Sequence, residues 1–246
     1  MLTDKISFKN FKINKKYTKI TKILSSIIKQ KNQVLHSLTT NYQNKYSKSL
    51  LNKYTNFRNF RVIGMGGSSL GTQAIYNFLN HKIKSSFVFE NNLQSKQVSK
   101  KKKKFLNFII SKSGNTIETI VNANILIKKK DKNIFITENK NNYLHNLAKK
   151  LKADIVHHNN YIGGRYSVLS EVGMLPAEFM GLNSNKFRQF NSLIKNKKFL
   201  NSLISNVSST LYFIKRKKFN SIIINYDEKS ENLFKWYQQL VAESLG

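Results

Sequence analysis

Four short stretches of this sequence carry residue types that can do chemistry. Ile110-Ser111-Lys112-Ser113-Gly114-Asn115-Thr116 places three hydroxyls and a glycine between a predicted strand and a predicted helix. Small residues there let backbone N–H groups converge on one point, and the helix N-terminus adds partial positive charge, so the loop suits a phosphate. It lacks the G-x-x-x-x-G-K spacing of a Walker loop, and the plain alternative is a Ser/Thr-rich turn that caps a helix. Gly66-Gly67-Ser68 is a second strand-to-helix loop, whose glycines permit a ligand to approach the backbone or simply turn the chain. Gly163-Gly164-Arg165-Tyr166-Ser167 sets a planar, permanently charged group beside two glycines, for a ligand or for a surface salt bridge. Gln239 and Glu243 stand four residues apart on one face of a predicted helix. With Leu233, Tyr237, Leu240 and Val241 as the apolar face nearby, Glu243 reads as a general base or as a solvated glutamate.

The elements that must position these residues follow from periodicity. Residues 1–56 have almost no strand signal; Ile20, Ile23, Leu24, Ile27 and Ile28, then Val34, Leu35 and Leu38, recur at helical spacing and predict a helical N-terminal extension. Strands are expected at Phe60–Gly64, Phe87–Phe89, Phe105–Ile110, Asn133–Thr137 and Ala153–Val156. Helices are expected over about 115–130, with Ile117, Ile120, Val121 and Ile125 forming one apolar face, and over 141–151. Such alternation predicts an α/β fold, a Rossmann-like three-layer αβα sandwich on a parallel sheet, with ligands at the carboxyl ends of strands. Residues 57–183 form this domain. Residues 184–246 are expected to supply connecting helices, a fresh strand at Ser221–Asn225, a turn at Asp227–Ser230 and a helix, the opening unit of a second sheet domain.

Composition narrows the function classes. The net charge of +31 suits nucleic acid or an anionic membrane. Yet the lysines are spread along the chain, apart from the run Lys100–Lys104, which reads as a solvated loop. Arginine, the preferred reader of phosphates and bases, occurs only as Arg58, Arg61, Arg165, Arg188 and Arg216. No cysteine is present, which removes disulfides, thiol catalysis and cysteine-based zinc sites. No apolar run is long enough to span a membrane, and Met1–Lys5 do not open a signal peptide, so the expected location is cytoplasmic. His157-His158 are expected to end a strand, not to bind metal.

Taken together, the motifs resemble the glucose-6-phosphate isomerase family. Val62–Gly71 is similar to its first glycine loop, and Phe108–Thr119 to the phosphate motif of sugar isomerase (SIS) domains. Gly163–Ser167 and Gln239–Gly246 resemble two more specific family signatures. The resemblance implies a first SIS domain and the beginning of a second, with Ser111, Lys112 (through its backbone), Ser113 and Thr116 holding a hexose 6-phosphate, and Gly67 and Ser68 nearby. It implies that Arg165 stabilises an enediolate, that Glu243 moves a proton between C2 and C1, and that Gln239 fixes substrate hydroxyls. It implies no metal or organic cofactor, and a homodimer for the complete protein. The family's ring-opening histidine and C-terminal lysine correspond to positions beyond Gly246, and none of His36, His81, His145, His157 and His158 falls in a matching motif. Three readings are therefore carried forward: an isomerase present as a fragment or as part of a split enzyme, a non-catalytic phosphosugar-binding module, and a basic nucleic-acid-binding protein. Arg165, Gln239 and Glu243 favour the first, because a binder needs only the Ser111 loop, and on this reading the chain alone is expected to be inactive.

Overall fold

The computed structural model describes residues 18–30, 32–93 and 104–245. Met1–Lys5, Lys100–Lys103 and Gly246, which bear on the expectations above, lie outside the described residues. The chain forms two compact units, one from the residues through Tyr42 with Arg188–Ile224, the other from Gln43–Phe187 with the residues from Asn225 onward. The helices in chain order are α1 (Thr18–Lys29), α2 (Gln33–Ser37), α3 (Lys48–Lys53), α4 (Leu70–Phe78), α5 (Ile117–Leu126), α6 (Tyr143–Lys150), α7 (Glu171–Phe179), α8 (Phe190–Lys195), α9 (Lys197–Lys215) and α10 (Glu231–Leu245). The strands are β1 (Asn59–Ile63), β2 (Ser86–Glu90), β3 (Leu106–Ile110), β4 (Lys132–Thr137) and β5 (Asp154–His157).

The first unit is helical. Ile20, Leu24 and Ile28 of α1 are half-buried at i, i+4, i+8 spacing, and α1 packs against α9. Arg188 is almost fully buried; its Nη1 donates to the Tyr42 carbonyl at 3.2 Å and its guanidinium lies over the Tyr42 ring.

The second unit holds a five-stranded sheet in the order β2-β1-β3-β4-β5, with every pair parallel. Alternation along each strand sends Phe60, Val62, Leu106, Phe108, Ile110, Ile134, Ile136 and Val156 to one face, where α3, α4 and α7 cover them. Ile63, Ile109 and Phe135 face the other way, beneath α5 and α6. This is the expected three-layer αβα sandwich, with strand boundaries within a residue or two of the sequence reading. The order reverses at β1, so the loops leaving β1 and β3 open side by side, at the switch point where doubly wound sheets bind ligands.

Toward the amino ends of the strands the second face is polar. Arg61, Asn107 and Asn133 sit in register on adjacent strands. Asn107 Nδ2 donates to Asn133 Oδ1 at 2.8 Å, and Arg61 Nη1 donates to the Leu126 carbonyl at the end of α5 at 3.0 Å. Burial lowers the pKa of Arg61, and Asp131, 4.0 Å away, opposes that shift. On the opposite side, Pro176 lies inside α7 and cannot donate to Val172. The freed Val172 carbonyl accepts from Thr72 Oγ1 of α4 at 3.4 Å, so the proline becomes a joint between two helices.

Two local expectations are corrected. The buried face of α5 consists of Thr119, Asn122 and Ala123, while Ile117 and Ile125 are 70% and 60% exposed. The apolar face and the buried face differ: Ile120 packs half-buried on the core, while two inward positions are polar, Thr119 and Asn122, the latter donating to the Asn92 carbonyl. Ser221–Asn225 forms no strand; it pairs with nothing in the sheet of the described residues, and Ile222 and Ile224 are 87% and 71% exposed. A strand needs a neighbour for its backbone N–H and C=O groups, and β-rich composition cannot supply one.

Candidate functional site

Every sequence-predicted site residue lies in the second unit. After β3 the chain bends sharply: Gly114, at φ +68°, closes the turn by donating to both the carbonyl and the hydroxyl of Ser111. Ser111 Oγ is buried and lies 2.8 Å from Thr116 Oγ1 and 3.5 Å from Ser113 Oγ, so the three hydroxyls converge. Ser113 Oγ accepts from the Asn115 N–H at 3.3 Å. Thr116 stands at the N-cap of α5 without making a side-chain capping bond, which leaves the first-turn N–H groups of that helix for an anion. The loop is buttressed from behind by Asn142, the N-cap of α6, whose side chain crowds the position a Cβ on Gly114 would take. Lys112 spans the rim: its Nζ donates to the Asn160 carbonyl at 2.7 Å and lies 3.4 Å from Glu138 Oε1.

The loop after β1 touches this site through backbone. A Cβ on Gly64 would come within 2.9 Å of the Ile110 carbonyl and 3.0 Å of Ser68 Cβ. A Cβ on Gly67 would fall 2.3 Å from the Gly164 carbonyl carbon and 2.6 Å from the Arg165 nitrogen. Ser167 Oγ fastens the same junction, lying 2.7 Å from the Gly164 oxygen and 3.2 Å from the Gly67 oxygen. The second and third sequence motifs are thus in direct main-chain contact, and only glycine at position 67 allows it.

The third motif meets α10. Arg165 Nη1 lies 3.5 Å from Glu243 Oε2, and Gln239 Nε2 donates to Glu243 Oε1 at 2.7 Å. Arg165 Nε also donates to Ser244 Oγ at 3.1 Å, and Ser244 Oγ is 2.9 Å from the Tyr166 hydroxyl. The Ser244 hydroxyl, with Arg165 after it, holds the Tyr166 pKa below the ordinary tyrosine value; Arg165 in turn is raised by Tyr166 and, less, by Glu243. Gln239 leans over Gly66, whose φ is +54° and whose missing Cβ leaves room for the amide. Gln239 Oε1 is buried and accepts no hydrogen bond from the described residues.

The face that α10 turns inward only partly matches the apolar stripe expected: Leu240 and Val241 are half-buried, Leu233 and Tyr237 are exposed, and Asn232, Trp236 and Gln239 are turned toward the protein. Trp236 Nε1 donates to the Arg165 carbonyl at 3.1 Å. Sequence reasoning missed Trp236, Asn142 and Ser244. The first was signalled by being the chain's only tryptophan, and the second by standing just before a helical run. His157 ends β5 as expected, and among the described residues no cluster of His, Asp and Glu could hold a metal ion.

With this geometry in place, comparison with known proteins is informative. Residues 25–246 match the family model for phosphoglucose isomerase. The chain is 36% identical to glucose-6-phosphate isomerase of Methanocaldococcus jannaschii over 216 residues, covering 80% of this chain and 53% of that protein. It is 30% identical to glucose-6-phosphate isomerase of Campylobacter jejuni over 205 residues, covering 77% and 50%. The chain therefore spans about half the length of the relatives it matches. A crystal structure of a hypothetical protein from Thermus thermophilus superposes with a TM-score of 0.68 at 21% identity, over 92% of this chain and 59% of that one, which speaks for the fold. A match over this much of the sequence, joined to a switch-point cradle and an Arg–Glu–Gln cluster, shows that the chain belongs to the phosphoglucose isomerase family.

Proposed function

We propose that this chain is the substrate-holding half of a glucose-6-phosphate isomerase, interconverting glucose 6-phosphate and fructose 6-phosphate when the remainder of the enzyme is present. The observation that carries the reading is the Glu243 carboxylate, held on one oxygen by the Gln239 amide and faced on the other by the Arg165 guanidinium. Ser111, Ser113, Thr116 and the backbone of Lys112 hold the phosphate, with Gly67 and Ser68 beside them. Glu243 takes the proton from C2; the electron pair forms the C1–C2 double bond, and the charge that gathers on the oxygens is met by Arg165. The O2 proton passes to O1 while the protonated Glu243 returns its proton to C1, giving the ketose with its carbonyl at C2. Gln239 helps to fix the substrate hydroxyls. No metal or organic cofactor enters this scheme. On this reading the complete protein works as a cytoplasmic homodimer, with the remainder of the enzyme supplying a second sheet domain.

The Glu243 side chain is 46% exposed. General acid–base catalysis depends on a fixed, sheltered carboxylate, and a displacement of about 1 Å can cost ~100-fold. The isolated chain is therefore expected to show no enzyme-like turnover of glucose 6-phosphate. Supplying the C-terminal portion of a relative, by fusion or as a second polypeptide, should restore it, and Glu243→Gln in that assembly should abolish it again. Full activity of the isolated chain would sink the half-enzyme reading, and an active Glu243→Gln assembly would sink the assignment of the base.

A further inference from the structure

His158 and Glu171 form a buried pair that the proposed chemistry leaves unused. His158 follows β5; its side chain is 1% exposed, and that of Glu171 is fully buried. His158 Nε2 lies 3.0 Å from the Ile162 carbonyl oxygen, and because a carbonyl only accepts, Nε2 carries a proton. His158 Nδ1 faces Glu171 Oε2 at 3.9 Å, too far for a hydrogen bond. The other Glu171 oxygen accepts from the Lys45 N–H at 3.1 Å.

The placement of the two partners gives the pair its meaning. Ile162 immediately precedes Gly163-Gly164-Arg165, and Glu171 opens α7 just after the turn Gly164–Leu169 that carries Arg165. One imidazole thus touches both flanks of the arginine-bearing segment. That segment starts with two glycines, and nothing lies within 4 Å of a Cβ built on Gly164; Ser167 Oγ fastens it at Gly164, and His158 holds the stretch just before it at Ile162. A leucine at 158 would fill the volume yet leave the buried Ile162 carbonyl without a donor. We propose that His158, backed by Glu171, is a positioning residue that sets the direction in which Arg165 meets the reacting oxygens; this rests on the role proposed above for Arg165.

The test uses this chain and two probes. Inorganic phosphate reads the Ser111 cradle alone. A five-carbon aldonohydroxamate with a terminal phosphate mimics the enediolate and reads the cradle together with Arg165. His158→Met, which removes the donor, should weaken hydroxamate binding by about tenfold or more, the cost of a misdirected charged hydrogen bond, while phosphate binding stays within about twofold. His158→Gln, whose Nε2 can still donate to Ile162, should retain both affinities, and Glu171→Gln should show the selective loss more weakly. In ¹⁵N-labelled chain, the Arg165 Nε–H resonance should be sharp in the wild type and in His158→Gln and broadened in His158→Met. Unchanged hydroxamate affinity in His158→Met, or an equal loss of both probes in His158→Met and Glu171→Gln, would overturn the proposal. Should His158→Met fail to fold, a Glu171→Gln variant without the selective loss overturns it as well. An Arg165→Met chain that binds the hydroxamate as tightly as the wild type instead removes the role of Arg165, and with it the reading on which the proposal rests.

Discussion

Trp236 donates its indole N–H to the main-chain carbonyl of Arg165 at 3.1 Å, although the two residues are 71 positions apart. The bond fixes the backbone of the arginine, not its charged end, and it couples the docking of α10 to the place from which the guanidinium starts. Trp236→Phe keeps most of the packing and removes the donor. A loss of about 0.5–1.5 kcal/mol in unfolding free energy is expected. Trp236 is the chain's only tryptophan, so its fluorescence in the wild type reports directly on whether α10 is docked. Denaturant titration followed by that emission and by far-ultraviolet dichroism should coincide; a separate early transition in emission would show that α10 undocks alone.

On the proposed function, the converging hydroxyls of the Ser111 loop make the phosphate, more than the sugar, the source of affinity. Ser113→Ala and Thr116→Val should each weaken hexose 6-phosphate binding by ~1.5–3 kcal/mol, the range for a hydrogen bond to a charged group. Calorimetry against the same sugar without its phosphate should show little binding in any variant. Unchanged affinity in both mutants would remove the cradle assignment.

Gly67 and Gly164 face each other, yet only one of them is needed as glycine. Gly67→Ala forces a methyl against the Gly164 carbonyl and should destabilise by about 1–3 kcal/mol or more, as overpacking does. Gly164→Ala points into open space and should stay within about 1 kcal/mol of the wild type. Thermal unfolding of the pair checks the asymmetry, and equal shifts would contradict it.

Tyr54 provides a pH test at the far end of the sheet. Burial, reinforced by its hydrogen bond to Asp154, raises the Tyr54 pKa from 10.0 to about 12. A raised folded-state pKa gives stability that is complete below the unfolded value and is lost as pH rises through the folded one. Stability should therefore fall between about pH 10 and 12 by ~2–3 kcal/mol from this group. Tyr54→Phe should be less stable at neutral pH and should lack that part of the alkaline fall. A parallel decline in both proteins would rule Tyr54 out as its source.

The parts of this fold that could be read in advance are those governed by local rules. Five short apolar strands and the glycine and hydroxyl loops between strand and helix announce a parallel sheet, because the backbone at such junctions needs small residues whatever surrounds it. Reading failed where a partner decides. Thr119 and Asn122 face inward on α5 because of how that helix lies on the sheet, and their polarity hid the face. Ser221–Asn225 has the composition of a strand and nothing in the sheet to pair with. Trp236 and Ser244 were passed over, and His158 was read only as the end of a strand, for a related reason: they act on the Arg165 segment through a carbonyl, a hydroxyl or a neighbouring residue, relationships that exist only once distant segments have met.

The return of α10 to the sheet domain also sets an order of events when the molecule is made. Arg165 and Ser244 meet across 79 residues of sequence, and every strand pairing here is parallel and needs a crossover. A chain emerging from the ribosome completes β1 to β5, the two strand-to-helix loops and the arginine turn well before it exposes Glu243. On the proposed function, the nascent protein would grip a sugar phosphate before it owns a carboxylate to act on it, and metabolite held early would favour the folded sheet over its unfolded competitors while synthesis continues.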